Sequence, residues 1–205
     1  AYTDGLALLA NLELIEGNFD EALGAIEKIG TEVEENEKLL NIRGRIFTAR
    51  ENWDEAESSF KKAIVLNSSN FNNHRALLAF YQSRGKKDQA KEVLDGMIKE
   101  FPDQPQAHLL LAQFYRMDNR PEMVEAELKK VTEIAPDNPR FRLQLASLYL
   151  ARGDFKKAEE TLVQARKELS DKPDIGAELA TLYLDQQRFD EAQKIYDELV
   201  EASPG

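Results

Sequence analysis

The 205-residue chain contains no cysteine. Disulfides, thiolate metal sites and a cysteine nucleophile are therefore excluded, while cytosol and periplasm both stay open as compartments. No apolar run approaches the ~18 residues that a bilayer-spanning helix requires. There is no signal-peptide pattern, and the first residue is Ala1 rather than Met, so the sequence reads as a soluble segment excised or processed from something longer. A Gly-rich phosphate loop is missing, and so is a G-x-S-x-G nucleophile motif. Acid pairs such as Glu34-Glu35 and Glu159-Glu160 fall on expected exposed stretches, without the burial or cleft that would tune a catalytic carboxylate. The expectation is no enzyme and no cofactor.

Excess positive charge is also missing. The net charge is −11. Residues 1–36 hold nine acidic side chains and only Lys28, for a net −8, and residues 171–205 hold nine acidic and three basic ones, for −6. Residues 37–170 carry 23 basic and 20 acidic residues, net +3. Non-specific nucleic-acid binding needs a basic face, so nucleic acid is not an expected partner. The uneven distribution leaves charge-guided contact with another protein open.

What the chain does have is a strict period. Ala22, Ala56, Ala90, Val124, Ala158 and Ala192 stand 34 residues apart, without insertion or deletion. Four residues after each comes a large apolar one: Ile26, Phe60, Leu94, Leu128, Leu162 and Tyr196. A period of this length marks stacked supersecondary units that cannot bury their apolar faces alone. Each unit reads as two helices, A and B, joined by a turn at Gly17-Asn18-Phe19, Glu51-Asn52-Trp53, Gly85-Lys86-Lys87, Asn119-Arg120-Pro121, Gly153-Asp154-Phe155 and Gln187-Arg188-Phe189. Gly or Asn there suits the left-handed conformation that ends a helix. Asp20, Asp54 and Asp190 fit the first turn of helix B. Pro102, Pro136 and Pro204 mark its close, and Pro105, Pro139 and Pro173 the first turn of the following helix A. The small residue permits close approach of A and B, and the large one fills the space between them. His74 and His108 share one repeat position; side chains on neighbouring stacked helices lie near 10 Å apart, too far to share a zinc ion, so no metal site is expected.

These residues resemble the tetratricopeptide repeat, whose pattern is Trp-x-x-Leu-Gly-x-x-Tyr, then Ala-x-x-x-Phe, then Pro. The third unit matches at Leu77, Tyr81, Gly85, Ala90, Leu94 and Pro102, and the fifth at Leu145, Ala146, Tyr149, Gly153, Phe155, Ala158 and Ala165. The second matches at Gly44, Phe47, Trp53, Ala56, Phe60 and Ala63. The resemblance covers units 3–36, 37–70, 71–104, 105–138, 139–172 and 173–205 as a single array over 1–205. It implies an all-α, right-handed α-solenoid of six helix-turn-helix repeats, with a concave groove lined by helices A. The acidic, cysteine-free character resembles bacterial members, among them those of envelope secretion and export systems. Departures are Glu13 where an aromatic belongs, Arg43 at a Leu position, an early end to the first helix B at Gly30, and Gly176 at the Trp position, which is expected to fray the last helix A.

The resemblance implies a function in protein–protein recognition. Repeat positions 2, 5, 9 and 12 of helix A are assigned to the groove. They place Lys38, Asn41, Arg45, Asn72, Arg75, Gln82, Gln106, Gln113, Arg116 and Arg140 there, with no carboxylate at these positions in the central four units. Amide side chains can hydrogen-bond an extended peptide backbone, and Arg can grip a carboxylate bidentately. The expected partner is an extended peptide segment that is acidic or ends in a free carboxylate; the alternative is a solvated polar face without a ligand. The family's dicarboxylate clamp for chaperone C-termini is matched at Arg75 but not at Ala79, Leu110 or Gln144. A competing role is self-association through the terminal units. The first helix carries Leu6, Leu8, Leu9, Leu12, Leu14 and Ile15 over more than one stripe, and the last retains Ile195, Tyr196, Leu199 and Val200.

Overall fold

A computed structural model describes residues 2–202. Among them are twelve α-helices, one 3-10 helix and no strand. Contacts divide the chain into two compact units, Ala1–Pro102 and Asp103–Gly205. In the first, α1 (Tyr2–Glu16) pairs with α2 (Phe19–Glu27), α3 (Glu37–Ala49) with α4 (Trp53–Leu66), and α5 (Phe71–Ser83) with α6 (Lys87–Glu100). In the second, α7 (Pro105–Met117) pairs with α8 (Pro121–Ile134), α9 (Pro139–Ala151) with α10 (Phe155–Glu168), and α11 (Pro173–Asp185) with α12 (Phe189–Ala202). Odd-numbered helices are helices A and even-numbered ones helices B.

Each hairpin is cut by the same stop signal. Gly17, Glu51, Gly85, Asn119, Gly153 and Gln187 all have positive φ, between 53° and 86°. The amide of the next residue turns back onto the carbonyl five positions earlier, as in Asn52 to Phe47 and Arg188 to Tyr183, both at 2.9 Å. This hydrogen bond satisfies a carbonyl that the helix end would leave open. Two of the six positions hold a glutamate or glutamine, which lack the conformational freedom of glycine. The starts of helices A are set by a second device that the turn residues do not reveal. Asn36, Asn70 and Asn138 accept hydrogen bonds at Oδ1 from the backbone amides of Lys38, Asn72 and Arg140, at 3.0–3.1 Å. These are N-caps, and they recur on the 34-residue period.

The repeated small residue is buried in all six hairpins, with Val124 taking the place of alanine without becoming exposed. Ile26, Phe60, Leu94, Leu128 and Leu162 are buried beside it; Tyr196 departs, at 36% exposure, because no described element packs beyond α12. Helix B of each hairpin packs on helix A of the next within each unit (α2 on α3, α4 on α5, α8 on α9, α10 on α11). Tyrosines cross these joints: Tyr149 Oη donates to Glu125 Oε1 and Tyr183 Oη to Glu159 Oε1, each at 3.0 Å. The carboxylates are also held by cations, Glu125 by Lys129 and Arg152 and Glu159 by Arg188.

The first helix B ends early, as expected: α2 is nine residues long, and Gly30, at φ 73°, opens a 3-10 helix, Gly30–Glu35. Gly176 does not fray the last helix A. α11 runs unbroken from Pro173, with Ile175, Gly176 and Leu179 all buried, so packing overrides the roughly 1 kcal/mol helix penalty of glycine. Arg43, at a Leu position, is half-buried and bonded to Glu34 and Ser59. α6 and α8 stop just before Pro102 and Pro136, while Pro204 lies outside the described residues.

Candidate functional site

Within the first unit, α1, α3 and α5 lie side by side. Their shared face holds a hollow of about 500 Å³. The structure gathers four of the expected residues into it: Lys38, Asn41, Arg45 and Asn72. Asn11 joins them from α1 and accepts from Arg45 Nη1 at 3.0 Å. Arg75 and Gln82 are exposed on α5 outside that lining, with Arg75 Nη1 3.4 Å from Asn72 Oδ1. In the second unit, Gln106, Gln113 and Arg116 are exposed on α7 and Arg140 on α9. The guanidinium groups of Arg116 and Arg140 hold no ion pair among the described residues.

Beneath the hollow runs a network that sequence reasoning missed. Asn73 is fully buried, and its Nδ2 donates to the backbone carbonyls of Ala63 and Asn67 and to Glu37 Oε2. Its Oδ1 accepts from Asn41 Nδ2 at 2.7 Å, and Asn70 Nδ2 donates to the other Glu37 oxygen at 2.8 Å. Asn41 Nδ2 is also donated to the Glu37 carbonyl, while Asn41 Oδ1 has no partner among the described residues. A carboxylate therefore lies under the amides and cations of this face, and Asp4, at a groove position of the first hairpin, adds another on the rim. Burial works to raise the Glu37 carboxyl, but the amides of Asn70, Asn73 and Asn67 together hold it below its usual value. At neutral pH Glu37 is an ionised acceptor. It fixes the orientation of Asn73 and, through it, of Asn41.

The cap at Asn70 was legible from its period with Asn36 and Asn138. Asn73 has no such signal, since the equivalent positions hold Leu39, Ala107, Phe141 and Ile175.

His74 and His108 each have a local partner. His74 Nε2 lies 2.8 Å from the Ser68 carbonyl and the ring meets Phe101 edge-on. His108 Nδ1 lies 2.7 Å from Glu127 Oε2. No cluster of three or more His, Asp or Glu suited to a metal ion occurs among the described residues. Glu34 is bonded to Arg43 and Lys62, which hold its carboxyl down to about 2. No helix is long and apolar enough to cross a membrane among the described residues.

A family model described as "Tetratricopeptide repeat" matches residues 47–114 and 116–174, and a second with the same description matches 177–205. Among solved structures, the chain is similar to pilF of Pseudomonas aeruginosa, with a TM-score of 0.58 at 15% identity, covering 100% of this chain and 93% of that one. A tetratricopeptide repeat protein of Parabacteroides merdae also gives 0.58, at 18% identity, with 100% and 81% coverage. Yeast Tom70 gives 0.56 at 19% identity, covering 90% of this chain and 40% of that one. At these identities the likeness concerns the fold alone. No curated protein matches the sequence.

Proposed function

We propose, from the premise that this chain belongs to the tetratricopeptide repeat family, that its helices A bind an extended peptide segment that is acidic or ends in a free carboxylate. Membership makes the chain a protein–protein interaction scaffold, on a fold that typically serves as a non-catalytic module. The finer reading rests on one observation: the hollow of the first unit collects Lys38, Asn41, Arg45 and Asn72 from two successive helices A. Two cations and two amides within one depression suit a strand whose backbone needs hydrogen-bond partners and whose side chains carry negative charge. Arg75 extends that face along α5, and Gln106, Gln113, Arg116 and Arg140 offer the same chemistry on α7 and α9. In this reading the six hairpins over 1–205 serve one array.

The test is a pull-down of partners by the wild-type chain and by the Arg75→Glu/Arg116→Glu double variant. Both residues are exposed, so the variant keeps its helical content by circular dichroism. Loss of the captured partner supports the reading; capture unchanged by the reversal refutes it.

A second reading, self-association, is favoured by the outer face of α1. Leu9 and Leu12 are 40% and 50% exposed, whereas the equivalent Leu77 and Phe80 are buried in α5. Leu8 and Ile15 widen the same apolar face, at 72% and 76% exposure. On α12, Tyr196 and Val200 are exposed at positions that the fourth hairpin buries with Leu128 and Thr132. Light scattering across protein and salt concentration separates the readings. Charge-driven association weakens with salt and apolar association does not, whereas a monomer under all conditions favours peptide binding.

A further inference from the structure

Three side chains at the hollow of the first unit depart from the repeat, and they are bonded to one another. Glu37 stands where the last three hairpins place Pro105, Pro139 and Pro173. Asn73 stands where other hairpins bury Leu39, Ala107 and Ile175. Asn41 stands where Ala7, Arg75, Leu109, Leu143 and Ala177 are found. The repeat builds these places with proline and apolar residues, so a buried asparagine on a carboxylate is not what the hairpin fold requires. Burying such groups costs desolvation that their hydrogen bonds only offset.

The bonds among them can run in one direction only. Glu37 Oε2 and the carbonyls of Ala63 and Asn67 are acceptors, so the Asn73 group that meets them at 2.9–3.1 Å is its NH₂. Asn73 Oδ1 then faces Asn41 at 2.7 Å, and the Asn41 group there is in turn an NH₂, which also meets the Glu37 carbonyl at 2.9 Å. Both N–H bonds of Asn41 are spent inward. What remains is Oδ1, an acceptor without a partner among the described residues and shielded from water. Lys38 and Arg45, one turn away on either side along α3, are exposed and line the same hollow, so both can swing aside from it.

We propose that Glu37 and Asn73 are positioning residues for the peptide site: they hold Asn41 with its carbonyl oxygen as its one free group, so that the hollow selects a backbone N–H of the bound strand at this point. A freely turning amide would take an N–H or a C=O alike. A fixed one decides between them and thereby sets the register of the strand. The ligand's own carboxylates draw the Lys38 and Arg45 side chains toward themselves, and a strand N–H then meets the oxygen that the free chain leaves unpaired. This role rests on the peptide reading of helices A and adds to it the polarity of one contact.

The probe is acetyl-Asp-Val-Glu-Tyr-Asp-amide, titrated into ¹⁵N-labelled chain, together with analogues in which one backbone amide at a time is replaced by an ester. Each ester removes a single N–H and adds no bulk. The wild-type chain should bind one of these analogues about tenfold more weakly than the parent. Asn73→Leu supplies the residue of the second hairpin, and the Ala63 and Asn67 carbonyls keep their backbone partners, the amides of Asn67 and Asn70. Glu37→Pro supplies the residue of the last three hairpins, and Asn36 before it already has the extended backbone that a following proline demands. Both variants should keep their helical content and melting temperature, yet bind that ester and the parent equally within about twofold, because Asn41 can then turn. Esters that all bind the wild type like the parent, or a penalty that persists in Asn73→Leu, would overturn the positioning role and leave the peptide surface standing. A parent peptide that moves none of Lys38, Arg45 and Asn72 would remove that surface, and this role with it. A large drop in melting temperature in both variants would assign the network to the fold instead.

Discussion

Gly44 and Gly96 are both glycines inside helices, yet replacing each with alanine should move stability in opposite directions. In an open helical site the change gains about 0.8–1.0 kcal/mol from propensity. Gly96, in α6, is such a site: a Cβ there would meet nothing within 4 Å. Gly44, in α3, is not. A Cβ there would lie 2.7, 2.8 and 2.9 Å from Cε1, Cζ and Cδ1 of Phe60. Carbon atoms rest comfortably at about 3.5–4.0 Å, so one partner must move by roughly 1 Å. Phe60 has little freedom to do so, being 2% exposed with its ring centroid 5.7 Å from that of Phe80. Overpacking of this kind costs about 1–3 kcal/mol, which cancels or exceeds the propensity gain. The two alanine variants should thus differ by about 1–3 kcal/mol, or several degrees in melting temperature for a chain of this size. Differential scanning calorimetry, supported by urea unfolding followed at 222 nm, reads the difference. The repeat supplies its own rescue. The fourth and fifth hairpins pair alanine with leucine at these two places, as Ala112 with Leu128 and Ala146 with Leu162. Gly44→Ala combined with Phe60→Leu should therefore recover much of the loss. A rise in melting temperature for Gly44→Ala like that of Gly96→Ala, or further damage from Phe60→Leu, would show that Phe60 does not crowd this site.

Three further outcomes follow from the same contacts. Tyr149→Phe and Tyr183→Phe each remove a hydroxyl donated to a carboxylate across a hairpin joint and should cost about 1–3 kcal/mol in urea unfolding; neutral effects would assign those joints to apolar packing alone. Glu51→Gly and Gln187→Gly relieve a left-handed residue but loosen the unfolded chain, for a net gain between about 0 and 1 kcal/mol in calorimetry, while Gly85→Ala should destabilise. Acid should weaken the first unit through Glu34: its carboxyl is depressed from 4.5 to about 2, so its contribution is full above 4.5 and is lost as pH falls toward about 2. Glu34→Gln should flatten that part of the stability–pH curve, and an unchanged slope would show that the Arg43 and Lys62 contacts contribute nothing in solution.

The period made most of the fold legible because one steric problem is solved six times. A small residue at the close crossing and a left-handed residue at the turn each leave a mark every 34 positions, even where the turn residue is Glu51 or Gln187. Gly176 misled because a propensity rule ranks it a helix breaker, while the burial of Ile175 and Leu179 on either side holds α11 together. At the candidate site, the resemblance together with repeat position put Lys38, Asn41, Arg45 and Asn72 on one expected face, and the structure brings these four around one hollow. The carboxylate beneath them was not visible. Glu37 reads locally as a favourable charge at a helix start, and its role depends on Asn70 and Asn73, 33 and 36 residues further on. Gly176 shows a similar limit, since only in the packed hairpins do Leu199 of α12 and Arg166 of α10 come to stand over it.

The proposed peptide surface lies on helices A rather than on helices B. The most direct measurement is a ¹⁵N-resolved titration with an acidic extended peptide, following backbone amides and asparagine side-chain amides. The account predicts saturable shifts at Lys38, Asn41, Arg45 and Asn72, with the Asn41 side-chain amide among them. Shifts confined to the exposed faces of α2, α4 and α6, with those four residues unmoved, would contradict it.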